Sequence, residues 1–339
     1  MSERPLLEVR DLAVSFATEE GVVHAVDDVD LDVGPGEVLA LVGESGSGKS
    51  VTALTLMGLT RQPNARISGT ARFEGADLLA AGERELRGIR GDRIAMVFQD
   101  PMGALDPVHR IGDQIVEQIR AHREVSREEA RRRAIELLSA VGIDDAANRV
   151  DAYPHQFSGG MRQRATIAMA LSLEPSLLIA DEPTTALDVT VQAQIVALLR
   201  ELNRERRLAM LLITHDIGLV AEVADRVAVM YAGRVVEQGT LEEVFYDPQH
   251  PYTWGLLGSL TRIDRPRPER LAQIPGAPPS LISPPQGCHF RPRCRHEFER
   301  CPQVPGLEAR LSDSPGHLDR CWLEPAEKRE RRQVGEAPS

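Results

Sequence analysis

Val38-Leu39-Ala40-Leu41-Val42-Gly43-Glu44-Ser45-Gly46-Ser47-Gly48-Lys49-Ser50 joins an unbroken apolar run to a full G-x-x-x-x-G-K-[ST] pattern. A short run with no polar alternation reads as a strand buried on both faces, as in a parallel sheet. Ser50 to Leu59 then reads as a helix. In this strand–loop–helix setting Gly43, Gly46 and Gly48 let the backbone curl until its N–H groups face inward. The helix N-terminus adds partial positive charge at the same place. Lys49 neutralises phosphate oxygens, and the Ser50 hydroxyl suits Mg²⁺. Lys49 and Lys328 are the only lysines among 40 Lys+Arg. Arginine holds nearly every other cationic position, and a flat guanidinium is a poor substitute for a compact ammonium between two phosphates. Lys49, read as the lone lysine of the folded region, points at a nucleoside triphosphate.

Outward from this loop, Leu6 to Phe16 and Val22 to Val33 read as two partly alternating strands. Arg93 to Phe98 is a further strand, ending at Gln99. Leu177 to Ala180 and Met210 to Thr214 are buried strands that close on Asp181-Glu182 and on His215. Arg226 to Tyr231 and Arg234 to Gln238 form a hairpin through Ala232-Gly233. Residues 110–142 and 191–204 are helix-periodic, with Ser126-Arg127-Glu128-Glu129 offering a helix start. Strands alternating with helices predict an α/β fold with a mostly parallel sheet. Prolines crowd positions 248–315, which predicts an irregular appendage beyond about Asp247. The charged stretch from Glu324 to Ser339 is expected to fray.

With 42% apolar but only 4% aromatic residues, aliphatic side chains must build the core. The net charge of −11 argues against nonspecific nucleic-acid binding. No signal peptide opens the sequence, and no apolar stretch approaches the roughly 18 residues that a membrane span needs. These features predict a soluble, cytosolic protein whose membrane role, if any, requires another polypeptide. Cys288, Cys294, Cys301 and Cys321 are the only cysteines. Their spacing, C-x5-C-x6-C-x19-C, lacks the close pairs that zinc favours and fits a thiolate-ligated iron–sulfur cluster at least as well. Zinc, helped by His289, His296 or His317, and free structural thiols are the alternatives. Disulfides do not suit a cytosolic setting.

Two further motifs carry chemistry. Asp181-Glu182, a carboxylate pair at a buried strand end, suits a metal beside a water-activating base. In Phe157-Ser158-Gly159-Gly160-Met161-Arg162-Gln163-Arg164, Ser158 is placed as an N-cap and the glycines expose N–H groups at a helix start. Taken singly, these also describe an ordinary strand end and an ordinary capped helix.

Together and in order, the motifs resemble the ATP-binding-cassette family. Walker A is residues 43–50, the Q-loop carries Gln99 and the signature is Ser158-Gly159-Gly160-Met161. Walker B is Leu177 to Asp181 followed by Glu182, the D-loop is Ala186-Leu187-Asp188, and His215 is the switch histidine. The resemblance implies a nucleotide-binding domain over residues 1–246 with a RecA-like, mostly parallel core. It also implies an antiparallel β subdomain and a helical subdomain inserted at about residues 101–160. It implies ATP hydrolysis with Mg²⁺ by two cassettes closing head to tail. On that reading Gly43, Glu44, Ser45, Gly46, Ser47, Gly48, Lys49, Ser50 and Val51 bind phosphates, and Phe16 stacks on adenine. Ser50, Gln99 and Asp181 attend Mg²⁺, Glu182 is the general base, and His215 contacts the γ-phosphate. Ser158, Gly159, Gly160 and Met161 face the nucleotide held by the opposite cassette, and Asp188 is a further nucleotide-binding position. Met161 stands where many members have Gln.

Residues 94–107, the Glu44-Ser45 pair, and the tail segments 247–253 and 287–294 are similar to the oligopeptide/dipeptide (peptide/nickel) importer branch. That likeness implies a C-terminal extension over residues 247–339, with Cys288, Cys294, Cys301 and Cys321 as ligands of a 4Fe–4S cluster. It implies a translocase ATPase, peripheral at the cytoplasmic face of the inner membrane and with no transmembrane segment of its own. Its partners would be a second ABC ATPase subunit in a heterodimer, two transmembrane permease subunits and an extracytoplasmic substrate-binding protein. The cargo would be di- or oligopeptides, with nickel, haem or glutathione-type cargo as the alternative. A soluble ABC ATPase acting on DNA or ribosomes is the second reading, opposed by the single cassette and the acidic charge. A GTPase or kinase sharing only the loop is a third, and no lysine before Lys328 is available for a guanine motif.

Overall fold

A computed structural model of the chain describes residues 4–185, 187–259 and 274–336. Ala186 of the expected D-loop, and Pro266 and Pro268 of the proline-rich stretch, lie outside the described residues. In chain order the strands are β1 (Leu7–Thr18), β2 (Gly21–Val33), β3 (Val38–Val42), β4 (Ala65–Phe73), β5 (Ala76–Asp77) and β6 (Ile94–Val97). They continue with β7 (Leu177–Asp181), β8 (Ala209–Thr214), β9 (Arg226–Tyr231), β10 (Arg234–Thr240), β11 (Glu308–Ala309) and β12 (Leu318–Asp319). The helices are α1 (Lys49–Leu56), α2 (Glu83–Ile89), α3 (Pro101–Ala104), α4 (Ile111–His122), α5 (Arg127–Ala140) and α6 (Ala146–Arg149). After them come α7 (Gly159–Ala170), α8 (Val189–Arg206), α9 (Ile217–Val223), α10 (Leu241–Tyr246), α11 (Pro251–Gly258) and α12 (Pro325–Glu336). The α/β class is as the alternation of elements predicts.

The chain divides into two compact units. The first comprises Met1–Leu7, Val33–Val38 and Phe73–Thr214. In it β6, β7 and β8 run parallel, with Ile94 opposite Leu177 and Leu177 opposite Ala209. All residues of β7 and β8 are buried, which is why their sequences show no polar alternation. The helices of residues 111–170 belong to the same unit. Ile111, Ile115 and Ile119 of α4 and Ala130, Ala134 and Leu138 of α5 recur at helical spacing and are all buried. Ser126 caps α5 by accepting the Glu129 N–H at 3.1 Å.

The second unit comprises Glu8–Asp32, Leu39–Arg72 and His215–Ser339. Here β3 pairs in parallel with β9, β9 forms an antiparallel hairpin with β10, and the tail strands β12 and β11 follow on β10. The core under this sheet contains Ala40, Val42, Val227, Val229 and Tyr231 together with Tyr252 and Phe290 from the tail. The rings of Tyr231 and Tyr252 lie 4.6 Å apart, and Phe290 sits 5.2 Å from Tyr231, edge to face.

The described part of the tail is irregular over most of its length, as expected, but it is packed rather than appended: it extends the β9–β10 sheet and fills the same core. Proline-rich composition hid this, because two-residue strands and a few inward aromatics leave no periodic signal. The end of the chain also differs from expectation. Residues 325–336 are helical rather than frayed, and Lys328 is buried with both Asp319 carboxylate oxygens at 2.7 Å. Lys49 is thus not the only lysine of the folded region. A buried ammonium requires such a partner, and a charge-rich sequence does not reveal which charge turns inward. A second buried carboxylate, Glu237, accepts the N–H groups of Gln249 (2.6 Å) and His250 (2.8 Å) and the His317 ring Nε2 (2.8 Å).

Candidate nucleotide site and cysteine cavity

The glycine loop follows β3 in the second unit. Gly48 has φ 106°, and a Cβ there would lie 2.3 Å from the Ala25 carbonyl oxygen. At Gly43 a Cβ would lie 2.1 Å from the Met230 carbonyl oxygen. Glycine is required at both positions by close backbone approach. The Lys49 side chain is buried inside the curl, donating from Nζ to the carbonyls of Gly43 at 2.8 Å and Glu44 at 2.9 Å. Ser47 N–H donates to the Glu44 carbonyl at 3.2 Å, closing the turn, while Ser50 and Val51 stand half-buried in the first turn of α1. Ser45 and Gly46 are exposed. Phe16 is half-buried on β1 and is not part of the core. His215 is exposed, next to Asp216, which caps α9 by accepting the N–H groups of Gly218 (2.8 Å) and Leu219 (3.2 Å).

The first unit holds the other predicted residues. Asp181 is buried at the end of β7. Glu182 follows with φ 47°, the left-handed region that costs a non-glycine residue on the order of 1 kcal/mol or more. This turn is held by the Glu182 N–H donating to the Ile213 carbonyl at 2.8 Å. Glu182 Oε2 accepts from Gln99 Nε2 at 3.0 Å and from Thr185 Oγ1 at 2.8 Å. The structure thus joins Gln99 to Glu182 directly, and adds Thr185, which the sequence reading missed. Ser158 caps α7, accepting the Met161 N–H at 3.3 Å, with Gly159 and Gly160 in the first turn. A Cβ at Gly160 would lie 2.6 Å from Val191 Cγ1. Asp188 caps α8 by accepting the N–H of that same Val191 at 3.0 Å. The signature turn and Asp188 are therefore parts of one α7–α8 junction.

The four cysteines line one cavity in the second unit, walled by His250, Phe290, His296, Phe298, Trp322 and Leu323 among others. Each sulfur accepts a backbone N–H: Phe290 and Arg291 at Cys288, His296 at Cys294, Leu323 at Cys321, and Phe298 at Cys301 (3.5 Å). Burial pushes Cys294 and Cys321 up to about 12 and raises Cys288, so these groups are thiols unless a cation supplies compensating charge. The sulfurs are not drawn into a ligand set. Among the described residues the one group of three metal-ligating side chains with atoms all within 4.8 Å is Asp11, Asp28 and Asp30. Sulfurs sharing one zinc at 2.3 Å would lie about 3.8 Å apart. No three of the described cysteine and histidine ligand atoms are gathered within 4.8 Å. His289 is bonded to the Ala232 carbonyl at 2.7 Å and His317 to Glu237, so neither turns to the cysteines.

Residues 26–185 match the family model for the ABC transporter, and residues 236–301 match that for the oligopeptide/dipeptide transporter C-terminal region. The chain is 53% identical over 317 residues to the oligopeptide transport ATP-binding protein OppD of Salmonella typhimurium, covering 94% of this chain and 93% of that one. The chain belongs to the ATP-binding subunits of oligopeptide/dipeptide ABC transporters. It is also 52% identical over 321 residues to the dipeptide transport ATP-binding protein DppD of Bacillus subtilis, covering 94% of this chain and 95% of the relative. Among solved structures, the dimeric bacterial ABC transporter cassette MJ0796 superposes with a TM-score of 0.63 at 29% identity, over 69% of this chain and 98% of that one. As an ABC ATPase, this subunit belongs to a family that couples ATP hydrolysis to transport. No described helix is long and apolar enough to cross a membrane.

Proposed function

We propose that this chain is the ATP-hydrolysing subunit of a di- or oligopeptide importer. The observation that carries the reading is the match of its tail to the peptide-transporter C-terminal region, joined to near full-length likeness to OppD and DppD. In this reading residues 43–51 cradle the triphosphate and Phe16 stacks on adenine. Ser50, Asp181 and Gln99 would hold Mg²⁺, which would supply positive charge against the triphosphate. Glu182 orients and polarises the attacking water. Its hydrogen bonds to Gln99 and Thr185 fix the carboxylate in one orientation beforehand. His215 touches the γ-phosphate. Ser158, Gly159, Gly160 and Met161 serve the nucleotide of a second ABC ATPase, a different chain in a heterodimer, and Asp188 acts at that junction. Residues 1–246 form the cassette and 247–339 its extension. The subunit lies peripherally at the cytoplasmic face of the membrane, against two permease subunits fed by a substrate-binding protein.

Co-purification with the permeases and reconstitution in liposomes tests this. ATP-dependent uptake of a labelled tripeptide is the expected result. Uptake of nickel or haem with no peptide uptake overturns the cargo assignment.

The 4Fe–4S reading rests on the four cysteines lining one cavity. Cys288, Cys294, Cys301 and Cys321 would hold it, and its iron would supply the positive charge that buried thiolates need. Anaerobically purified protein should carry iron and acid-labile sulfide with broad visible absorbance, lost in Cys288→Ser and Cys321→Ser. A colourless, iron-free preparation overturns it.

A further inference from the structure

Glu44 is the one acidic residue of the phosphate loop, and a carboxylate beside a triphosphate site repels its ligand. The tail meets this charge directly. Arg293 Nη1 donates to Glu44 Oε2 at 2.7 Å and Nη2 donates to Oε1 at 3.1 Å, a fork-on-fork pair. The remaining donors of the same guanidinium are also used. Nη1 reaches the Tyr231 hydroxyl at 3.3 Å, Nη2 the Ile274 carbonyl at 3.4 Å, and Nε the Pro275 carbonyl at 2.8 Å. The Arg293 side chain is only 6% exposed. Tyr252, also of the tail, accepts the Glu44 N–H at its hydroxyl at 2.9 Å. Glu44 is thus gripped at its backbone and its side chain, while its carbonyl accepts from Lys49 Nζ.

We propose that Arg293 is a positioning residue for ATP binding: it neutralises Glu44 and fixes the phosphate loop, so that the C-terminal extension sets the subunit's affinity for nucleotide. A surface ion pair would do neither, because a solvent-exposed lysine or arginine is screened and mobile. Here a planar fork with all five donors engaged holds one geometry, and Lys cannot reproduce it. The function extends beyond packing because the pair links the loop, at the point where Lys49 bonds, to the short turn that carries Cys294. The proposal rests on reading residues 43–50 as the nucleotide site.

The test uses the intact transporter complex, with binding of a fluorescent ATP analogue and ATPase KM and kcat measured separately. Arg293→Gln should weaken nucleotide binding roughly tenfold, raising KM with kcat little changed, since the loss falls on binding. Glu44→Gln alone sets the reference affinity for a loop without this carboxylate. The double variant Arg293→Gln/Glu44→Gln should return to near the Glu44→Gln value, because the uncompensated carboxylate is gone. A purely structural arginine would not be rescued in this way. Arg293→Lys, which keeps the charge and loses the fork, should fall between. If Arg293→Gln does not fold, Arg293→Lys and Glu44→Gln carry the test, and native affinity in Arg293→Lys overturns the proposal. Additive losses in the double variant, or a folded Arg293→Gln with unchanged affinity, also overturn it. Lys49→Ala serves as the control. If it is impaired while Arg293→Gln is normal, only the present inference falls; if it binds ATP normally, the nucleotide-site reading falls as well.

Discussion

On the proposed reading, one compact unit carries the phosphate loop and the other carries the carboxylate that polarises water. The second unit does its work with backbone: glycines pressed against the carbonyls of Ala25 and Met230, and an ammonium enclosed by its own loop. The first unit does its work with side chains at strand ends, where Gln99 and Thr185 hold Glu182. A site built from backbone is damaged by adding atoms, and a site built from side chains by changing a few. Binding and chemistry should therefore be separable by substitution.

The sharpest separation is Glu182→Gln. The amide preserves size and cannot take a proton, so ATP turnover should drop about 10³-fold while nucleotide binding persists. Unchanged turnover would remove the base from the first unit and end the division of labour. Next in size is Gly48→Ala. Its methyl group meets a carbonyl oxygen at a left-handed position, so stability should fall by about 3 kcal/mol and nucleotide binding should be lost. Thermal melting and analogue binding would show it, and a stable, binding-competent variant would mean that the loop is not backbone-built.

The smallest effect concerns what anchors the tail. Burial lowers the pKa of His317, but the hydrogen bond and charge of Glu237 override it, and Glu243 and Asp319 add to the upward shift. The folded state therefore holds this proton more tightly than the unfolded chain. Its stabilisation is full below about pH 6.5 and is lost as pH rises through the raised value. Urea midpoints should fall across neutral to mildly alkaline pH in the parent protein. His317→Gln should cost about 2 kcal/mol at pH 6 and flatten that dependence. An equal slope in both would place the titration elsewhere.

Contiguity decided what could be read in the amino-acid sequence. β3, β7 and β8 are unbroken apolar runs, and the loop pattern is eight consecutive residues, so both were legible. β4 was missed because Gly69, Ser68 and Thr70 break the alternation that Ala71 and Phe73 obey at its buried end. The role of Ser158 as a cap followed from residue type, but Asp188 as a cap and Val191 as their shared neighbour did not. Arg293 looked like a charge beside Cys294; nothing in its spacing points to a carboxylate 249 positions earlier.

That separation also has a consequence in time. Contacts between residues so far apart in sequence close slowly, because loop entropy must be overcome before they are rewarded. Arg293 can seat its donors only after Glu44, Tyr231 and Ile274 have assembled around it. The phosphate loop therefore receives its last support late in folding. On the proposed reading, the loop is fully braced only in a subunit whose tail has already found its place.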